Sequence, residues 1–203
     1  ISSVSVPENK ILEVKPGVLT INESVESCIC VYGKLRAIGT EGEPIVFTAV
    51  KDGEYGISGH SNKENWRGIK VYEMGEMVGE HVKVRYARDK YTPHCALEVR
   101  GKLTLTNSEV SYSEGYGIYV KTTGEQRFEI ENCIISENVK SGIYVNKYGT
   151  GEFSIKNSII SNNKYLPIYA NLSNINTSIF DGVQDNTFTG NEYGGKSYDA
   201  IGI

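Results

Sequence analysis

The sequence predicts an all-β solenoid, a right-handed parallel β-helix of about seven coils. Three observations point there. Short segments recur at a fixed spacing. Each segment alternates apolar and polar residues, as a strand with one buried face does. Glycine is frequent, at 22 of 203 residues, and proline is scarce, at 5. That balance suits many short strands joined by tight turns.

The repeat is clearest in mid-chain. Leu103–Ser111 is followed by Gly117-Ile118-Tyr119-Val120, Phe128–Ser136 by Gly142-Ile143-Tyr144-Val145, and Phe153–Ser161 by Pro167-Ile168-Tyr169-Ala170. Asn107, Asn132 and Asn157 keep a period of 25, as do Ile118, Ile143 and Ile168. Upstream, Cys28–Leu35 aligns with Ala96–Leu103, and Gly68–Tyr72 lies between them. Downstream, Asn186–Asn191 echoes the asparagine segment and Ala200–Ile203 echoes the strand. One coil of this length holds three short strands. It cannot bury its apolar face alone, so coils stack about 4.8 Å apart around a shared core. Leucine-rich repeats need a Leu-x-x-Leu-x-Leu spacing that is absent here.

The repeat carries further expectations. An asparagine at one strand end per coil predicts a buried amide ladder of Asn107, Asn132 and Asn157. Successive strand residues fall at Ile29, Ile69, Leu97, Ile118, Ile143, Ile168 and Ile201. The long first step contains Lys51–Asn65, read as a loop thrown out of the stack. The last step contains Asn171–Asp185, a smaller excursion. Residues 1–22 read as a cap. The chain opens without methionine or a signal-peptide pattern and stops inside a strand motif. It therefore reads as one β-helix domain, 1–203, cut from a longer protein whose further coils or domains are its neighbours.

Composition removes whole classes of function. A net charge of −4 leaves no basic stripe for nucleic acid. No run of 18 apolar residues exists to span a membrane. The four cysteines read as unpaired. Cys28 and Cys30, two residues apart, are poorly placed to bridge; Cys95 lies two coils further on; Cys133 replaces Ser108 and Ser158 without a partner beside it. As a metal pair, Cys28-x-Cys30 lacks two more ligands.

Two passages carry a family resemblance. One is Val31–Thr48 followed by Trp66-Arg67-Gly68-Ile69-Lys70; the other is the Asn-x-Ile-Ile-Ser…Gly-Ile-Tyr-Val repeat. Over nearly the whole chain the pattern resembles the right-handed parallel β-helix superfamily, the pectin-lyase-like fold. Its opening looks like that of secreted, non-catalytic β-helix domains. The resemblance implies an extracellular or cell-surface location, where free thiols fit an organism living without oxygen. It does not imply an activity, because this fold hosts many.

Strand alternation defines three outward columns. The first is Cys28, Gly68, Ala96, Gly117, Gly142 and Pro167, small enough to form a shallow floor. The second is Cys30, Lys70, Glu98, Tyr119, Tyr144 and Tyr169. The third is Tyr32, Tyr72, Arg100, Lys121, Asn146 and Asn171. A ladder of tyrosines beside cations and amides suits a sugar ring. The candidate polysaccharide-binding residues are Tyr119, Tyr144, Tyr169, Tyr72, Arg100, Lys121 and Asn146. The competing reading is structural: tyrosines on adjacent strands stack on one another. Glu98 is the one acid in these columns, too few for calcium, which takes six or more oxygens. The five aspartates, 52, 89, 181, 185 and 199, all lie outside them. No metal or cofactor is expected. Two weaker catalytic candidates are the stretch Arg85, Arg88, Lys90 and His94, and His60 near Asp52, Glu54 and Glu64. The leading expectation is a non-catalytic scaffold binding polysaccharide on the tyrosine face. The alternatives are a polysaccharide lyase or glycoside hydrolase, and a purely structural stalk.

Overall fold

A computed structural model describes residues 3–58, 65–88, 91, 93–171, 173, 175–193 and 196–197. Each coil contributes one strand to each of three parallel seven-stranded sheets. Sheet A holds Val4–Val6, Ile29–Val31, Ile69–Val71, Cys95–Val99, Tyr116–Lys121, Ile143–Lys147 and Ile168–Ala170. Sheet B holds Ile11–Val14, Lys34–Ile38, Glu76–Glu80, Lys102–Thr106, Phe128–Glu131, Phe153–Lys156 and Val183–Gln184. Sheet C holds Leu19–Asn22, Ile45–Ala49, Val82–Arg85, Glu109–Ser111, Ile134–Ser136, Ile159–Ser161 and Thr187–Thr189. The expected register holds along sheet A, where Ile29, Ile69, Leu97, Ile118, Ile143 and Ile168 pair in sequence. Residues 4–22 form a complete first coil rather than a cap. The expected strand at Ala200–Ile203 lies outside the described residues.

Inward side chains make one continuous core. Leu35, Met77, Leu103 and Phe128 are fully buried in register on sheet B, and Phe128 stacks on Phe153 with centroids 4.9 Å apart. Trp66 is also fully buried and donates its indole N–H to the Arg85 carbonyl at 2.9 Å.

From the third coil on, both turns flanking sheet C are made by one left-handed residue per coil. Between sheets B and C these are His81, Asn107, Asn132, Asn157 and Asp185. After sheet C they are Tyr86, Tyr112, Glu137, Asn162 and Gly190. The asparagines at 107, 132 and 157 are therefore exposed corner residues, not the expected buried ladder. Asparagine suits the left-handed region because its short amide tolerates it. The ladder exists one corner later. Asn138, Asn163 and Asn191 are fully buried, and each amide nitrogen donates to the next oxygen at 2.9 Å, from Asn138 to Asn163 and from Asn163 to Asn191. The same nitrogens reach the Val110, Ile135 and Ile160 carbonyls.

The ladder explains the small column of sheet A. A Cβ on Gly117 would lie 2.8 Å from Asn138 Nδ2, and one on Gly142 would lie 3.0 Å from Asn163 Nδ2. Both glycines are buried, so the space is taken by the amides and no sugar-sized floor is left.

Candidate functional site

The outer face of sheet A changes character along the solenoid. Its first coils carry Cys30, Lys70 and Glu98 in register. Glu98 is buried, accepts two charge-assisted hydrogen bonds from Arg100 at 2.7 and 2.6 Å, and lies 3.9 Å from Lys70. Tyr32 and Tyr72 stack beside it at 4.2 Å, with the Arg100 guanidinium 5.8 Å from the Tyr72 ring. Burial and the Tyr32 hydroxyl raise the Tyr72 pKa. Of the expected site residues, Tyr72 and Arg100 thus belong to a polar patch on the coils before the tyrosine ladder, which it meets where Glu98 pairs with Tyr119.

The last three coils carry Tyr119, Tyr144 and Tyr169 in register. Tyr144 stacks on Tyr169 at 5.0 Å and meets Tyr119 edge-on at 5.4 Å. Tyr116, which opens its strand, turns back over Tyr144 at 4.9 Å and Tyr119 at 6.3 Å, with Lys140 Nζ 4.7 Å from its ring. Tyr119 is consequently 8% exposed, whereas Tyr116, Tyr144 and Tyr169 remain half-buried. Sequence alternation does not reveal Tyr116, because its position has inward parity. Burial raises the pKa of Tyr116, Tyr119 and Tyr144, so these hydroxyls stay protonated donors well above neutral pH.

A β-bulge alters the third column. The register slips after Val120, so Lys121 pairs with Lys147 and Asn146 is the extra residue. Asn146 donates its amide to the Tyr119 hydroxyl at 2.7 Å and accepts from the Tyr144 hydroxyl at 3.3 Å and from Asn171 at 3.5 Å. Lys121 and Lys147 are both exposed. Like charges on paired strand positions repel, which makes this point favourable for an anion.

The outer face of sheet C is different. The expected excursion after Ala49 adds no described strand to the stack, and residues 59–64 of it lie outside the described residues. Its described part, 50–58, folds back, with Gly56 and Ile57 hydrogen-bonded to Asp52 and Val50. Arg85, 5% exposed, donates to Glu54 at 2.6 Å and lies 3.6 Å from Asp52 and 3.4 Å from Glu109. Its guanidinium lies 5.1–5.2 Å from the Tyr112 and Tyr55 rings. Lys83 donates to the Tyr55 hydroxyl at 2.8 Å, and Lys51 pairs with Glu114 at 2.6 Å. Hydrogen bonds from Tyr55 and Arg85 lower the Glu54 pKa. Burial works against the Arg85 charge, but Glu54, Glu109 and Asp52 together raise its pKa. The two weak catalytic candidates thus meet, Arg85 with Asp52 and Glu54, but as an ion-paired clamp. Arg88 pairs with Glu114 at 3.3 Å; Lys90, His60 and Glu64 lie outside the described residues. A groove of about 680 Å³ runs beside the clamp, lined by Tyr55, Lys83, Glu109, Asn107, Asn132 and Ile134.

Among the described residues, no three His, Cys, Asp or Glu side chains are grouped to hold a metal ion. No helix there is long and apolar enough to cross a membrane. Parallel coils, corner asparagines and a shared core define a β-helix repeat protein. The chain matches the right handed beta helix region family over residues 2–192 and belongs to that family. No curated protein and no solved structure matches the chain.

Proposed function

We propose that the chain is a non-catalytic, extracellular β-helix module that binds acidic polysaccharide on the outer face of sheet A. One observation carries this reading. Half-buried tyrosines on three consecutive coils stand beside two lysines that face each other on adjacent strands. Sugar faces pack on aromatic rings, and a uronic carboxylate relieves the Lys121–Lys147 repulsion. Tyr144 and Tyr169 offer the contact, with Tyr116 beside them. Tyr119 and Asn146 hold the hydroxyl–amide network that orients them. Tyr72 and Arg100 flank the strip on earlier coils.

The distribution of carboxylates supports a binding rather than a cleaving role. Glycoside hydrolysis uses two carboxyl groups with separate tasks. Glu98 is held by Arg100, and Asp52, Glu54 and Glu109 share Arg85. The test uses polygalacturonate and a neutral glucan as probes. The proposal expects retention of the acidic polymer, weakening with added salt, and no unsaturated product. Release of unsaturated oligosaccharides would establish a lyase instead.

A further inference from the structure

At the other end of sheet A, two thiols are in contact. Cys28 Sγ lies 2.8 Å from Cys30 Sγ. The sequence spacing alone argues against a bridge, but both side chains leave the same face of one strand. Two residues of extended chain separate the Cα atoms by about 6.6 Å, inside the upper disulfide limit of about 6.8 Å. Cys28 is 5% exposed and Cys30 is half-buried. Ser3 Oγ accepts from the Cys28 backbone N–H at 3.3 Å and lies 3.7 Å from its sulfur. Lys70 pairs with Cys30 in the register, and Arg67 adds a second positive charge.

We propose that Cys28 and Cys30 form a peroxide-reactive dithiol that closes reversibly to a disulfide within one strand. The Cys28 thiolate attacks one oxygen of hydrogen peroxide; the O–O bond breaks, hydroxide leaves and takes up a proton, and Cys28 becomes a sulfenic acid. The Cys30 sulfur then attacks Cys28 and expels the hydroxyl as water. In sum, two thiols and one hydrogen peroxide give one disulfide and two waters. The oxidant is water-sized, which suits a nearly buried nucleophile. The hydrogen bond from Cys30 lowers the Cys28 pKa to about 6 against the opposing effect of burial, with Ser3, Arg67 and Lys70 assisting. Cys30 is shifted the other way, first by the same hydrogen bond and then by burial, and keeps its proton until it resolves. Cys133 provides an internal contrast. It is 2% exposed, its thiol faces the Leu105 and Glu131 carbonyls, and burial pushes its pKa up to about 11.

The test treats the folded chain with hydrogen peroxide, alkylates what remains and maps peptides by mass. The peptide carrying both cysteines is expected to lose two hydrogens and both alkyl tags, about tenfold faster than Cys133 is oxidised. Dithiothreitol restores it. In Cys30→Ser, Cys28 stops at the sulfenic acid and is trapped by dimedone; in Cys28→Ser no adduct forms at position 30. Circular dichroism checks that both variants are folded. Wild-type Cys28 and Cys30 that stay alkylatable at the Cys133 rate would overturn the proposal. So would a dimedone adduct as persistent in the wild type as in Cys30→Ser.

Discussion

The outer faces of sheets A and C are built by the same rule, one outward residue per coil in register, yet they end in opposite states. On sheet C the charges close on one another. Asp52, Glu54, Glu109, Lys83 and Arg85 form one cluster under the 50–58 loop. On the last coils of sheet A the rings stack but stay half-exposed, and Lys121 faces Lys147 rather than an acid. A face whose charges are mutually satisfied serves the fold. A face that leaves like charges together and aromatic surface in reach of water is one that a ligand can complete.

The contrast breaks most visibly at Arg85. Arg85→Met leaves Asp52, 4% exposed, without its cation. The expected loss is about 3 kcal/mol, read by urea denaturation, with polysaccharide affinity unchanged. An unaltered midpoint would mean that the clamp holds nothing.

Asn163→Leu sets the scale for a residue that serves only the fold. It strips partners from Asn138 and Asn191 inside the core, for an expected loss of about 2 kcal/mol. Asn132→Gly, at an exposed corner with φ 53°, is expected to cost almost nothing in the same assay. Equal costs at the two asparagines would contradict the assignment of the ladder.

Tyr144→Ala sharpens the comparison from the other side. It removes the ring between Tyr119 and Tyr169, at an expected stability cost of about 1 kcal/mol. Tyr169→Ala should cost less, since Tyr169 meets the ladder on one side. A cost near that of Arg85→Met would make the strip a structural element like the clamp.

Acid gives the gentlest probe. The Glu54 pKa lies below the value of about 4.3 for an unfolded glutamate. Its contribution is therefore complete above that value and fades as pH falls through the lower, folded value. The Tyr55 ring signals in NMR spectra are expected to move toward free-tyrosine positions in that acid window. Signals unchanged down to acid unfolding would show that Glu54 does not hold the loop.

The coils and the sheet A register were legible because inward residues must recur once per coil, and Ile118, Ile143 and Ile168 do. The ladder was misplaced for a physical reason. Asn132 and Asn138 both recur with the 25-residue period, and periodicity cannot tell a left-handed corner from a buried slot. The glycines at 117 and 142 held the missing signal, since they leave room for Asn138 and Asn163. The bulge at Asn146 and the turn of Tyr116 onto the strip were not legible, because both break the alternation that the sequence reading relies on. The sheet C clamp joins residues 31 and 33 positions apart, with no periodic relation between Glu54 or Asp52 and Arg85.

Calorimetric titration of polygalacturonate into the wild type, Tyr144→Ala and Arg85→Met tests the binding face most directly. The account predicts about tenfold weaker binding for Tyr144→Ala and wild-type affinity for Arg85→Met wherever the latter is folded. Undiminished affinity in folded Tyr144→Ala, with loss in Arg85→Met, would contradict it and place the ligand in the groove beside Tyr55 and Lys83.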